Sequence, residues 1–190
     1  MGGIEVGGLT GRLLVATPAL GDPTFAQSVV LLLDHDEDGA LGVVINRPTP
    51  VEVGQVLPSW EEFTTSPGVL FRGGPVALDS ALGLAAVPTD GDEEPLGYRR
   101  VVDELGLIDL DTPPEVLAAE MVDLRIFAGY AGWGAGQLEA ELEEGAWYVV
   151  QAERGDPFTD DPDRLWRHVL RRQGGDLAFV STYVEDPSMN

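Results

Sequence analysis

The sequence predicts an α+β fold: a single compact domain in which a mixed or antiparallel sheet carries a few short helices. Three observations lead there. Strand and helix signals interleave along the 190 residues without the regular alternation of a doubly wound parallel sheet. Several neighbouring apolar runs are separated by short polar turns, the mark of hairpins. The 24 glycines and 14 prolines call for many short elements joined by tight turns. Residues 11–184 are expected to form the domain, between a flexible N-terminus (1–10) and a C-terminal tail (185–190). A chain of this length buries roughly 70% of its unfolded surface, and a hydrophobic fraction of 44% supports a core.

Taken in order, Arg12 to Thr17 reads as a strand ended by Pro18. Ser28 to Asp34 and Ala40 to Asn46 are apolar runs of the kind that is buried on both faces. The acidic turn 34–39 between them makes them a hairpin. Thr49-Pro50-Val51-Glu52 matches a capping box with proline at the first helical position, so a short helix is expected to about Leu57. Strands follow at Val69 to Arg72 and Ala81 to Val87, around the turn Gly73-Gly74-Pro75. A polar loop, 89–95, precedes a hairpin through Tyr98–Val102 and Gly106–Leu110. Thr112-Pro113-Pro114-Glu115 repeats the capping-box pattern and opens a helix to about Met121. Leu124 to Tyr130 is a strand, followed by a glycine-rich loop and a helix from Gln137 to Glu144, which Gly145 closes. After a strand from Trp147 to Ala152, Asp161 and Pro162 start the last helix and Gly174-Gly175 end it.

Absent residue types exclude several chemistries. Without cysteine there is no disulfide, thiol nucleophile, iron–sulfur cluster or zinc ribbon. All 11 basic residues are arginines, which removes Schiff-base chemistry and the phosphate-binding lysine of a P-loop. With only His35 and His168, no three-histidine metal site forms within one chain. The first ten residues have neither a basic nor an apolar stretch, and Val6 stands where a myristoylation signal needs Ser or Thr. The longest apolar run, Val29 to Leu33, is too short to span a bilayer. A cytoplasmic protein is expected. The 33 acidic residues bring the formal charge to −22, so neither direct nucleic-acid binding nor an anionic membrane surface is expected.

Three constellations could carry chemistry. Asp34-His35-Asp36-Glu37-Asp38-Gly39 begins like an EF-hand loop, but Ile45 occupies the position of the bidentate glutamate. It reads as a solvated hairpin turn, and no metal or cofactor is expected. Gly129-Tyr130-Ala131-Gly132-Trp133-Gly134-Ala135-Gly136-Gln137 lies before a helix N-terminus, where glycines and free N–H groups suit a carboxylate or phosphate. In the last helix, Leu165, Trp166, Val169 and Leu170 share one face, and Arg164, Arg167, His168 and Arg171 the other. That basic stripe suits phosphate or an acidic partner, or is a solvated face. The acidic pairs Glu139/Glu141 and Glu143/Glu144 read as solvent-facing.

The ordered motifs resemble the AlgH/YqgE family of bacterial proteins. The resemblance runs from Gly11-Arg12-Leu13-Leu14-Val15-Ala16-Thr17-Pro18, Asp22-Pro23-Thr24-Phe25 and Ser28-Val29-Val30 through His35, Gly39-Ala40-Leu41-Gly42 and Asn46-Arg47-Pro48. It continues with Gly73-Gly74-Pro75-Val76, Gly129-Tyr130-Ala131-Gly132-Trp133, Gly136-Gln137-Leu138-Glu139 and Gly145-Ala146-Trp147. It covers residues 11–172, with Ala135 where the family often has proline. The resemblance implies a bent sheet forming a pseudo-barrel. It carries no established activity and no catalytic residues, and members are sometimes labelled transcriptional regulators. No helix-turn-helix pattern or basic patch large enough for duplex DNA accompanies that label here.

The leading expectation is a non-enzymatic binding or regulatory protein acting through a small anionic ligand or a protein partner. Its site would combine Tyr130, Trp133 and Gln137 with Asn46 and Arg47 at a strand end, the arginine pairing with the anion. The alternative is a hydrolase or other small-molecule enzyme in which His35 is the base and Asp22 or Asp34 orients it. A third, direct DNA binding, runs against the charge.

Overall fold

The computed structural model describes residues 8–88 and 94–182. The expected tail, most of the expected flexible N-terminus and residues 89–93 of the 89–95 loop lie outside these residues. Ten strands form one curled, mostly antiparallel sheet in the order β10-β1-β2-β3-β9-β6-β8-β7. These are β1 (Arg12–Ala16), β2 (Val29–Asp36), β3 (Gly39–Val44), β6 (Val76–Ala86), β7 (Tyr98–Val102), β8 (Leu105–Ile108), β9 (Asp123–Gly134) and β10 (Trp147–Gln151). Off this path, β4 (Pro48–Glu52) pairs with β5 (Val69–Arg72), and β5 runs parallel to β9. The sheet is therefore mixed, and β9 has three neighbours: β3, β5 and β6.

Both faces are covered, which explains the unbroken apolar runs. Leu13, Val15, Leu31 and Val43 face one cluster, which α4 (Leu165–Gln173) closes with Leu165, Trp166, Val169 and Leu170. Leu14, Ala16, Val30 and Leu32 face a second cluster, under α3 (Gln137–Glu143). A third cluster packs α1 (Val53–Val56), a 3-10 helix (Pro58–Phe63) and α2 (Pro114–Leu117) against β6, β8 and β9. The Trp166 indole donates to Ala16 O (2.9 Å), which locks α4 to β1. A last short helix, α5 (Gly175–Val180), was not expected from the sequence.

The curl brings the ends of the sheet together. Arg154, just past β10, pairs with Glu104 in the β7–β8 turn at 2.9 Å. A Cβ on Gly11 would lie 2.5 Å from Val102 Cβ.

Three local expectations are corrected. Thr49 starts no helix: its hydroxyl donates to Leu70 O (2.7 Å) within the β4–β5 pair, and the helix begins only at Val53. The second capping box opens a single turn that ends at Leu117, with no side-chain cap. The glycine-rich segment is the second half of β9 rather than a loop. Its small residues let Gly74 cross so closely that a Cβ there would lie 2.1 Å from Tyr130 O.

Candidate functional site

His35 is aimed by an irregularity. The register of β2 against β3 shifts between Leu32 and Asp34, and this bulge reverses which face the following residues point to. His35 consequently shares a face with Ala40 and Trp133, beneath α3. Its Nε2 lies 2.6 Å from Glu139 Oε1, with the imidazole almost wholly buried. A carboxylate only accepts, so Nε2 carries the proton. The other ring nitrogen, Nδ1, is buried without a hydrogen-bond partner. The hydrogen bond from His35 holds the Glu139 carboxyl below its usual range. The expected orienters do not serve this imidazole. Asp22 Oδ1 accepts from Thr24 N (2.9 Å) in its own turn, and Asp34 is exposed on the opposite face of β2.

Trp133 and Gln137 do come together, around a second carboxylate. Glu141 Oε1 accepts from the indoles of Trp133 (3.2 Å) and Trp147 (3.0 Å), and its Oε2 from Gln137 Nε2 (3.1 Å). Gln137 Oε1 in turn accepts from Gly134 N. The two indoles pack edge to face at 6.2 Å, and Phe25 packs in the same way on Trp147. Glu139 and Glu141 are thus the inward clamps of α3, which corrects their reading as solvent-facing. Tyr130 lies on the other face of β9 from Trp133, its ring packed toward the α4 side of the core. Asn46 is buried and structural, its Oδ1 accepting from Val29 N and its Nδ2 donating to Gln27 O, each at 3.0 Å.

Arg47 lies beside an arginine that the sequence reading missed. The backbone N–H of Arg72 donates to Arg47 O (2.8 Å). Both residues line one cleft of about 210 Å³ with Phe25, Val44 and Gly74. Arg47 is half-buried and also donates to Ala26 O, whereas Arg72 is exposed. The available signal was positional: Arg47 directly precedes Pro48, and Arg72 ends the apolar run Val69–Phe71 before Gly73-Gly74-Pro75.

A buried charge stands apart from these groups. Arg125, at 1% exposure, donates to the carbonyls of Pro157, Thr159, Thr65 and Ser66 and stacks 4.3 Å over the Phe71 ring. Burial lowers its pKa to about 10, so it stays charged at neutral pH. Every contact goes to backbone or ring, which makes it a tie between segments. Among the described residues no group of three or more His, Asp or Glu could hold a metal ion, and no helix is long and apolar enough to cross a membrane.

The AlgH-like family model matches residues 13–178. A UPF0301 protein of Streptomyces coelicolor is 65% identical, over 98% of this chain and 97% of its own length. Another, from Thermobifida fusca, is 52% identical over 96% of each. The crystal structure of a Corynebacterium diphtheriae protein superposes with a TM-score of 0.85 at 31% identity, covering 92% of both chains. The solution structure of the AlgH protein from Pseudomonas aeruginosa gives 0.70 at 29% identity, covering 97% of both.

Proposed function

The chain belongs to the AlgH-like family, and on that premise we propose that it is a non-enzymatic binding protein whose cleft at Arg47 and Arg72 takes a small anion. One observation carries this reading. Two arginines, Arg47 immediately before β4 and Arg72 at the end of β5, line a single cleft in a chain of net charge −22. A carboxylate or phosphate seated in the cleft would accept charge-assisted hydrogen bonds from these arginines. Phe25 and Val44 supply apolar wall, and a volume of about 210 Å³ suits a compact carboxylate or phosphate.

The His35 geometry supports a structural role over a base. One ring nitrogen is engaged by Glu139, and the other is buried away from solvent. Isothermal titration with citrate and with orthophosphate at low salt tests the proposal. Binding is expected, with Arg47→Ala and Arg72→Ala each weakening it about tenfold or more, as expected for loss of one charge-assisted contact. If neither anion binds, or both variants bind as the parent does, the site is wrong and a protein partner becomes the stronger reading.

A further inference from the structure

We propose that the exposed face of α4, with Arg164 in the turn immediately before it, forms a second, separate anion site, suited to a small molecule that carries two or more phosphate groups. Arg164, Arg167, His168 and Arg171 line a cavity of about 520 Å³, with Thr159 and Asp161 at its rim. Positions 164, 167/168 and 171 recur at the helical period and so form one stripe roughly 10 Å long. Leu165, on the same wall, gives the cavity an apolar floor.

Charge neutralisation in this region is uneven. Arg172, on the neighbouring face, is taken up by Asp156 through two contacts (2.5 and 2.7 Å) and by Glu153. Within the cavity, Arg164 has only a loose 3.5 Å pairing with Asp161, both of them exposed. Arg167 stacks on Trp166 and donates to Ser181 O. Neither Arg167 nor Arg171 meets a carboxylate among the described residues. That is notable in a chain with 33 acidic residues against 11 basic ones.

The class of ligand follows from range and shape. The Debye length at physiological ionic strength is roughly 8 Å, so a small ligand in the cavity experiences the local arginines. A nucleic acid or a membrane would instead face the charge of the whole molecule. Guanidinium forks match phosphate oxygens in pairs, and a stripe of three is longer than one phosphate needs. The volume leaves room for an uncharged portion, as in a nucleoside diphosphate.

Inorganic pyrophosphate and orthophosphate, titrated calorimetrically at low salt, are the probes. Pyrophosphate is expected to bind about tenfold or more tightly than orthophosphate in this cavity. The double variant Arg164→Gln/Arg171→Gln, at two exposed positions, should abolish that preference without altering the near-ultraviolet circular dichroism. Arg12→Gln, an exposed arginine outside the cavity, controls for net charge and should leave it intact. Arg47→Ala/Arg72→Ala should also leave it intact, which separates this site from the cleft proposed above. Absence of pyrophosphate binding would overturn the proposal. So would binding that survives the α4 variant, or loss that follows Arg12→Gln equally.

Discussion

At the scale of the residue, two carboxylates hold α3 to the sheet. Glu141 takes two indole N–H groups, and Glu139 takes the His35 imidazole. The second of these contacts is sensitive to pH in a defined direction. Because the folded-state pKa of Glu139 is depressed, its stabilisation is fully present above the ordinary carboxylate value and is lost as pH falls through the folded value. The difference in unfolding free energy between the parent and Glu139→Gln should therefore shrink below about pH 4.5, as read from urea melts across pH 3–7. A difference independent of pH would disprove the contact. None of this was legible from the sequence at α3, because the helix is acidic on most of its surface. Nothing local distinguishes Glu139 and Glu141 from Glu143 and Glu144. The distinction comes from His35 and Trp147 on separate strands, placed by tertiary pairing.

At the scale of the element, glycine positions decide where strands can cross. Gly39 opens β3 at a φ of 137°, and a Cβ there would lie 2.1 Å from Trp133 O. Both strain and collision oppose a side chain, so Gly39→Ala should destabilise the fold by about 2–4 kcal/mol. Urea denaturation would measure it, and an effect below half a kcal/mol would mean that the β3–β9 crossing is looser than described. Elements buried on both faces were the most readable, since continuous runs such as Val29 to Leu33 fit little else. Thr49 and Thr112 misled because a Thr-Pro-x-Glu pattern is equally compatible with an extended segment, and at Thr49 strand pairing with β5 took the hydroxyl. The segment 129–136 misled for a related reason. Glycine is ordinarily a turn signal, and only at Gly129, where a Cβ would lie 2.7 Å from Gly74 O, does crowding around β9 require it within a strand. Of the expected site residues, Arg47 was readable from its place at a strand end. Its closeness to Arg72 was not, because that adjacency arises from the pairing of β4 with β5, which no local pattern encodes.

At the scale of the whole molecule, charge and topology act in opposite senses. A net charge of −22 on 190 residues repels itself in the compact state. Raising sodium chloride from low salt to roughly 0.5 M, where screening is short-ranged, should raise the melting temperature. The gain is about 2–4 °C for each kcal/mol of repulsion removed. A flat or falling melting temperature would show that attractive pairs such as Arg154–Glu104 outweigh the repulsion.

Topology resists what charge loosens. Because β9 borders β3, β5 and β6 at once, removing it would leave both wings of the sheet with an open edge. The chain accordingly offers no seam. Cutting it between β8 and β9 would yield two fragments, neither with a finished core, and a shuffled or circularly rearranged descendant could keep this architecture only by carrying β9 along intact.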